Sequence, residues 1–138
     1  MDKQLIEQKL ELLRRCVDRI QKKCPESPLA LSNDLDLQDI IAINLSRAVQ
    51  LSVDIGSHLI AVTDLPTPTS MGQTFDLLKQ AGIIDAELSD HLKKAVGFRN
   101  IAVHQYEEIN WQIVHRIANS HLIDFRSFAA SISAYLEQ

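Results

Sequence analysis

The sequence predicts an all-α protein, an up-and-down bundle of four long helices and one short helix. Apolar residues recur at steps of three and four along most of the chain, and no window alternates apolar and polar residues as a half-buried strand would. The 138 residues include only 4 glycines and 4 prolines, a composition that disfavours a turn-rich all-β fold. A chain of this length can bury one hydrophobic core, so we expect a single domain over residues 1–138.

Two long helices are predicted in the first half of the chain. The first covers residues 2–23 and the second covers residues 37–62, because their apolar residues lie on one face of a helix. Prolines follow both segments, and a proline removes a backbone donor and restricts the residue before it. We therefore interpret residues 25–33 and 65–69 as loops inside one fold.

A short helix is predicted at residues 71–80. Ser70 and Gln73 have the spacing of a capping box at its start, and Gly82 provides a C-terminal stop. The same apolar spacing then predicts the last two long helices, which cover residues 84–102 and 111–136.

The composition limits the class of protein. The formal net charge of −4 disfavours indiscriminate binding to nucleic acid, which depends mostly on neutralising phosphates. The N-terminal segment is a charged amphipathic helix without the apolar core of a signal peptide. The most apolar stretch, residues 40–62, is interrupted by Arg47, Asp54 and His58 and does not predict a membrane span. We expect a cytoplasmic protein with no membrane contact.

The cysteines and histidines offer little support for a disulfide or a metal site. Cys16 and Cys24 lie eight residues apart, which is ~12 Å along a continuous helix and beyond the reach of a disulfide. The five histidines include no i, i+4 pair, so we expect neither a bound metal nor a cofactor. We assign no chemistry to the two thiols, and we expect His115 and His121 to be structural or exposed.

Arg99 lies inside the apolar stripe of the predicted helix before the last. The arc of about 80° that contains Arg99 on a helical wheel also contains the apolar residues Leu88, Leu92, Ala95 and Ala102. A guanidinium buried without a partner is strongly destabilising. The side chain must therefore meet a partner, a water-filled cleft or a subunit boundary. A purely structural interpretation is an ion pair with an acid from the second or the last helix.

His104 and Tyr106 follow Arg99 along the chain. On an unbroken helix, Arg99 and His104 would lie ~140° and ~7.5 Å apart, too far to share one small substrate group. Either the helix ends near His104, or the site is assembled from more than one chain. His104 and Tyr106 would point the same way if the segment leaving the helix is extended. The structural alternatives are that His104 caps helix carbonyls and that Tyr106 packs its ring on the last helix.

Arg99, Asn100, His104 and Tyr106 form the string R-N-x-x-x-H-x-Y. This string resembles the R-x(4–6)-H signature of HEPN ribonucleases, and a tyrosine two residues after the histidine matches the HepT toxin group. The resemblance covers the whole chain, which is similar to these proteins in length, in its all-α pattern and in the position of the motif on the penultimate long helix. It implies a HEPN-like fold and metal-independent RNA cleavage by a homodimer. It also implies a partner, a minimal nucleotidyltransferase antitoxin.

The resemblance also assigns a role to each residue of the motif. His104 would act as acid or base, Arg99 would bind the scissile phosphate, and Asn100 would orient the phosphate or His104. Tyr106 would accept AMP groups that the antitoxin transfers from ATP, and the added charge would stop cleavage. A homodimer is also expected on chemical grounds. One histidine per chain cannot serve as acid and base together, whereas two copies supply two imidazoles and two guanidiniums at one site.

Two other functions remain open from the sequence alone. The main alternative is a non-catalytic subunit that docks a minimal nucleotidyltransferase and presents substrate to it, which the acidic net charge favours. The other is a structural helical dimerisation module in which the motif is accidental. The intact pair of Arg99 and His104 favours the RNA endonuclease.

Overall fold

The computed structural model describes residues 2–138, and no strand occurs among them. These residues form seven α-helices: α1 (Lys3–Lys23), α2 (Pro28–Ser32), α3 (Leu35–Ile60), α4 (Met71–Gln80), α5 (Ala86–His104), α6 (Trp111–Ser120) and α7 (Leu122–Leu136). A 3-10 turn at Tyr106–Glu108 joins α5 to α6. None of the helices in this part of the chain is long and apolar enough to cross a bilayer. The predicted all-α helical bundle is confirmed.

The two longest helices, α1 and α3, pack along each other. Each begins after an aspartate whose carboxylate accepts a hydrogen bond from a backbone N–H three residues later, Asp2 from Leu5 and Asp34 from Leu37. The buried face of α1 consists of Ile6, Leu13, Cys16, Val17 and Ile20. The Asp34 cap starts α3 at Leu35, slightly before the predicted residue 37, because apolar spacing does not register a capping side chain.

The short helix α4 has the predicted bounds and caps. The Ser70 hydroxyl accepts a hydrogen bond from the Gln73 backbone N–H at 3.1 Å, and the Gln73 side chain accepts from the backbone N–H of Thr69. At the other end, Gly82 has a φ of 77°, the left-handed conformation that favours glycine. The Ile83 N–H then closes the turn by donating to the Leu78 carbonyl at 3.0 Å.

The prediction that residues 25–33 form only a loop was wrong, because α2 occupies the middle of that segment. Ser27 caps this single turn by accepting a hydrogen bond from the Ala30 N–H at 3.1 Å. Pro28 then occupies the first helical turn, where a missing N–H costs nothing, and Leu31 is buried. Pro28 was interpreted as part of the end of α1, but it marks the start of α2.

The last predicted helix, residues 111–136, is interrupted at His121, where α6 ends and α7 begins. His121 has φ −117° and ψ 7°, and its N–H still donates to the Ile117 carbonyl at 2.9 Å. The residues just before it, Asn119 and Ser120, have modest helix propensity. Apolar spacing continues across the interruption because both helices face the same core, so the pattern gave no sign of a break.

Close contacts around α4 position α5. A Cβ added to Gly56 of α3 would lie 2.7 Å from Thr74 Cγ2 and 2.9 Å from Leu78 Cδ1, so the glycine allows α3 and α4 to approach closely. On the other side of α4, the rings of Phe75 and Phe128 meet edge to face at 6.0 Å and join it to α7. Since α5 packs against α3, α4 and α7, these contacts fix the helix that carries the motif.

Candidate functional site

The motif lies across the C-terminal end of α5. The helix begins where the Asp85 carboxylate accepts a hydrogen bond from the Leu88 N–H at 2.8 Å, and it buries Leu88, Leu92 and Val96. It ends at His104, as one of the two sequence alternatives predicted, and Gln105 leaves the helix with φ −143° and ψ 50°. Arg99 and Asn100 therefore lie on the helix, His104 is its last residue, and Tyr106 begins the 3-10 turn.

Arg99 is half-buried and contacts neutral side chains. Its Nη2 donates to Gln50 Oε1 of α3 at 3.3 Å, and its Nη1 donates to Asn100 Oδ1 at 3.3 Å. Arg99 takes part in none of the ion pairs formed within residues 2–138. The structural interpretation of an ion pair with an acid from the second or last helix was therefore wrong. The guanidinium is oriented, but its charge is not neutralised by a carboxylate.

The Gln50 amide is itself held in place by Asp54. Gln50 Nε2 donates to Asp54 Oδ1 at 2.9 Å, and Asp54 Oδ2 lies 3.8 Å from Lys9 Nζ of α1. A carboxylate accepts and a guanidinium only donates, so this network fixes which end of the amide faces Arg99. Gln50 was not predicted from the sequence, because a single glutamine on a helix carries no signal of the side chain that it will contact.

Asn100 and His104 are both exposed. Asn100 accepts the hydrogen bond from Arg99 and so helps to orient the guanidinium within the same chain. The end of α5 is capped by the Gln105 N–H, which donates to the Ile101 carbonyl at 2.8 Å, so the suggested capping role of His104 is not observed. Among the described residues, the imidazole has no hydrogen-bond or ion-pair partner. It is accessible to a substrate or a second copy of the chain.

Tyr106 contacts α3 and α6. Its hydroxyl donates to Asp39 Oδ1 at 2.5 Å, and its ring packs edge to face on Trp111 at 5.8 Å. Partial burial, together with the hydrogen bond to the Asp39 carboxylate, raises the pKa of the Tyr106 phenol well above its usual value. The suggested packing on the last predicted helix is thus observed, and the hydroxyl has a carboxylate partner that was not predicted from the sequence.

The two polar contacts lie on one face of α3. Gln50 and Asp39 are eleven residues apart, which corresponds to ~16.5 Å of rise and a rotation of ~20°. Asp39, near the start of α3, contacts Tyr106 at the end of the motif. Gln50, further along α3, contacts Arg99 at its beginning. The helices α3 and α5 therefore run antiparallel, as an up-and-down bundle requires. The site is a strip along α3, with Arg99 near one end and Tyr106 near the other. Ile43 lies on the same face of this strip and is 51% exposed.

Three other histidines and both cysteines lie outside this strip. His115 is buried and its Nε2 donates to the Pro25 carbonyl at 2.7 Å, a structural contact. His91 and His121 flank Asp124 beside a groove of about 510 Å³ between α5, α6 and α7, which Arg99 and His104 do not line. Both thiols are free, and burial raises their pKa. Within residues 2–138, no three His, Cys, Asp or Glu side chains are arranged as metal ligands.

Comparison with known proteins identifies the family. Residues 6–132 match the model of the HepT-like family, described as Ribonuclease HepT-like. The mRNA nuclease HepT of Shewanella oneidensis is 39% identical over 94% of this chain and 97% of its own length. A solved toxin–antitoxin structure with AMP-PNP superposes with a TM-score of 0.90 at 38% identity, covering 96% of this chain and 99% of that one. The tri-AMPylated Shewanella oneidensis HEPN toxin, solved in complex with its MNT antitoxin, gives a TM-score of 0.89 at 39% identity over 97% of this chain and 99% of that one. The chain therefore belongs to the HepT-like family.

Proposed function

We propose that this protein is an RNA endonuclease and the toxin of a toxin–antitoxin pair, folded as one domain over residues 1–138. The observation that carries the proposal is the state of Arg99 and His104. Arg99 is oriented by neutral groups, and His104 is exposed and unpaired within the described chain. Both side chains are therefore available to an anionic substrate. Membership of a family whose Shewanella relative is an mRNA nuclease supports the same activity.

The chemistry proposed is metal-independent transesterification within RNA. A base takes the proton of the 2′-hydroxyl, an acid protonates the departing 5′-oxygen, and a cation stabilises the charge on phosphorus. His104 serves as acid or base, since an imidazole nitrogen can accept a proton and then donate it. Arg99 binds the phosphate through its forked donors, and Asn100 keeps that fork in place. No cofactor is needed for these steps.

The proposed site needs two copies of the chain, because each chain supplies one His104. Exposed apolar residues beside the motif support this arrangement, since Ile101 is 40% and Val103 is 51% exposed on the last turns of α5. Ile43 adds an exposed apolar side chain on the adjacent face of α3. A twofold contact through these residues would bury them and bring the two motifs face to face.

The proposed regulation is transfer of AMP to Tyr106 by a cognate minimal nucleotidyltransferase antitoxin. The hydroxyl lies at an exposed edge of the strip, where a partner can reach it. Asp39, which contacts Tyr106, lies ~16.5 Å along α3 from Gln50, which contacts Arg99. One phosphate at that distance is largely screened. Several AMP groups added at Tyr106 can approach Arg99 and compete with RNA phosphates, and the tri-AMPylated relative supports the addition of more than one AMP.

The test is RNA cleavage in the presence of a chelator. His104→Ala and Arg99→Ala should each lower the rate by ~100-fold or more, the usual contribution of a general acid or base or of a preorganised cation. His58→Ala and Arg19→Ala are matched controls on α3 and α1, and both should retain wild-type rates. Equal cleavage by all four variants would contradict the proposed site, and cleavage that needs added metal would contradict the mechanism.

A second candidate function is a non-catalytic subunit that docks the nucleotidyltransferase. The net charge of −4 favours it, because RNA binding gains little from an acidic surface. The same assay separates the two functions. A docking subunit would still accept AMP on Tyr106 but would cleave no RNA in the wild-type form.

A further inference from the structure

The Tyr106 hydroxyl has a fixed direction in the unmodified protein. Its Oη lies 2.5 Å from Asp39 Oδ1, a contact between residues 67 positions apart in the chain. The Tyr106 ring also packs edge to face on Trp111. Tyr106 remains 38% exposed, so the contact holds the hydroxyl without enclosing it. A reagent that approaches from solvent meets an oxygen whose proton already points at a carboxylate.

Asp39 is free to act as a proton acceptor. It is exposed near the start of α3, and it joins none of the ion pairs formed within residues 2–138. Tyr106 is its one side-chain hydrogen-bond partner in the described chain. No cation therefore competes with the phenolic proton for the carboxylate.

We propose that Asp39 is the general base for the modification of Tyr106, holding the hydroxyl in place and taking its proton as AMP is transferred. This inference rests on the proposed function, because it concerns the same tyrosine. It adds a residue of the acceptor protein itself to the transfer reaction, so the toxin contributes to its own modification.

ATP is the AMP donor in the proposed step. The proton of Tyr106 Oη moves to Asp39 Oδ1, and an electron pair on Oη forms a bond to the α-phosphorus. The bond between that phosphorus and the oxygen bridging to the β-phosphate breaks, and pyrophosphate leaves with the electron pair. Asp39 then releases its proton to water. The products are a phosphodiester on Tyr106, pyrophosphate and one proton.

Proton transfer matters here because the free phenolate is scarce. The raised pKa of Tyr106 keeps the phenol protonated at neutral pH, so an unassisted reaction would use the weakly nucleophilic neutral form. The carboxylate that contributes to this raised pKa also removes the proton during attack. General-base assistance of this kind contributes ~100-fold or more to a rate.

The test measures the initial rate of AMP addition to Tyr106 by the cognate nucleotidyltransferase, using intact mass and peptide mapping of the full chain. Asp39→Asn keeps an oxygen acceptor but loses the basic carboxylate, and it should slow the reaction ~100-fold or more at pH 7. Asp39→Glu should recover much of the rate. Asp36→Asn is the matched control, because it removes one negative charge nearby on α3 and should leave the rate within about twofold. Thermal unfolding checks that each variant is folded.

Two further readouts separate proton transfer from simple packing. Without the carboxylate, the reaction depends on the phenolate fraction, which rises tenfold per pH unit, so the ratio of wild-type to Asp39→Asn rates should fall as pH rises from 7 to 9. Glu107 and Glu108, which follow Tyr106 in the 3-10 turn, are unchanged in both proteins and cancel in this ratio. In a Tyr135→Phe background, ultraviolet absorbance reports Tyr106 alone, and Asp39→Asn should shift its ionisation to lower pH.

The outcomes are distinguishable. A wild-type rate in Asp39→Asn, or an equal loss in Asp36→Asn, would overturn the role of Asp39 while leaving Tyr106 as the acceptor. A constant rate ratio across pH would overturn proton transfer. Absence of AMP from Tyr106 in the wild-type protein would overturn the proposed modification, and the role of Asp39 with it.

Discussion

The guanidinium of Arg99 lies 3.3 Å from the side-chain oxygen of Gln50, and this contact joins α5 to α3. The partner is neutral, which leaves Arg99 with its full positive charge. The Gln50 amide is held by Asp54. The Asp54 carboxylate therefore orients Arg99 through Gln50 without forming an ion pair with it. An arginine arranged in this way is both oriented and still attractive to a phosphate.

Substitution of Gln50 should weaken RNA cleavage by disordering Arg99. Gln50→Ala removes a hydrogen bond to a charged donor, a contact that contributes ~1.5–3 kcal/mol, so we expect at least a tenfold loss of kcat/KM. Gln50→Glu should raise KM further, because the new carboxylate would pair with Arg99 and compete with the RNA phosphate. Steady-state kinetics on a defined RNA would measure both effects. Unchanged kinetics in both variants would contradict the positioning of Arg99 by Gln50.

Gly56→Ala should destabilise the protein, because the new Cβ would lie 2.7 Å from Thr74 Cγ2 and 2.9 Å from Leu78 Cδ1. Overpacking of this kind costs ~1–3 kcal/mol in the free energy of unfolding, measured by urea denaturation. Gly97→Ala is the matched control, since no atom outside its own stretch of helix lies within 4 Å of its new Cβ. That substitution should stabilise α5 by ~0.5–1 kcal/mol. A change of the same sign in the unfolding free energy of both variants would contradict the close approach at Gly56.

The contribution of His91 to stability should depend on pH. The hydrogen bond between its Nδ1 and Asp124, at 3.0 Å, raises the pKa of His91 above its usual value. A raised pKa gives stabilisation that is complete below about pH 6.5 and is lost as pH rises through the folded pKa. His91→Gln should therefore lower the unfolding free energy more at pH 5.5 than at pH 8.5. His58→Gln is the control. If His91→Gln lowered the unfolding free energy equally at both pH values, the contribution of the His91 charge would be contradicted.

A charge at the exposed apolar end of α5 should disrupt the proposed homodimer. Val103→Asp would place a carboxylate beside His104, where we expect a second copy to pack, and should give a monomer in sedimentation with little RNA cleavage. Val62→Asp alters a residue of similar exposure, 53% against 51%, just beyond the opposite end of α3 and should remain dimeric. An active monomer of the Val103 variant would contradict a site shared between two copies.

Local sequence signals predicted much of the fold. The caps of α4 at Ser70 and Gly82 depend on the chemistry of two residues, so sequence alone was sufficient to place them. The start of α2 at Pro28 and the break at His121 were missed because proline occurs at both ends of helices and because apolar spacing continues through a break that keeps the same face. Asp39 and Gln50 were missed for another reason. Their partners lie 67 and 49 positions away, and only the packing of α3 against α5 brings them together.

One helix, α3, carries the anchors of both Arg99 and Tyr106. An insertion or deletion of a single residue between positions 39 and 50 would turn one anchor by ~100° relative to the other, so the two contacts could not survive together. Point substitutions on the outer surface of that stretch leave the spacing intact. Natural variants of this chain should therefore tolerate substitutions there far more readily than insertions or deletions, because the spacing between the anchors of Arg99 and Tyr106 is set by one rigid helix.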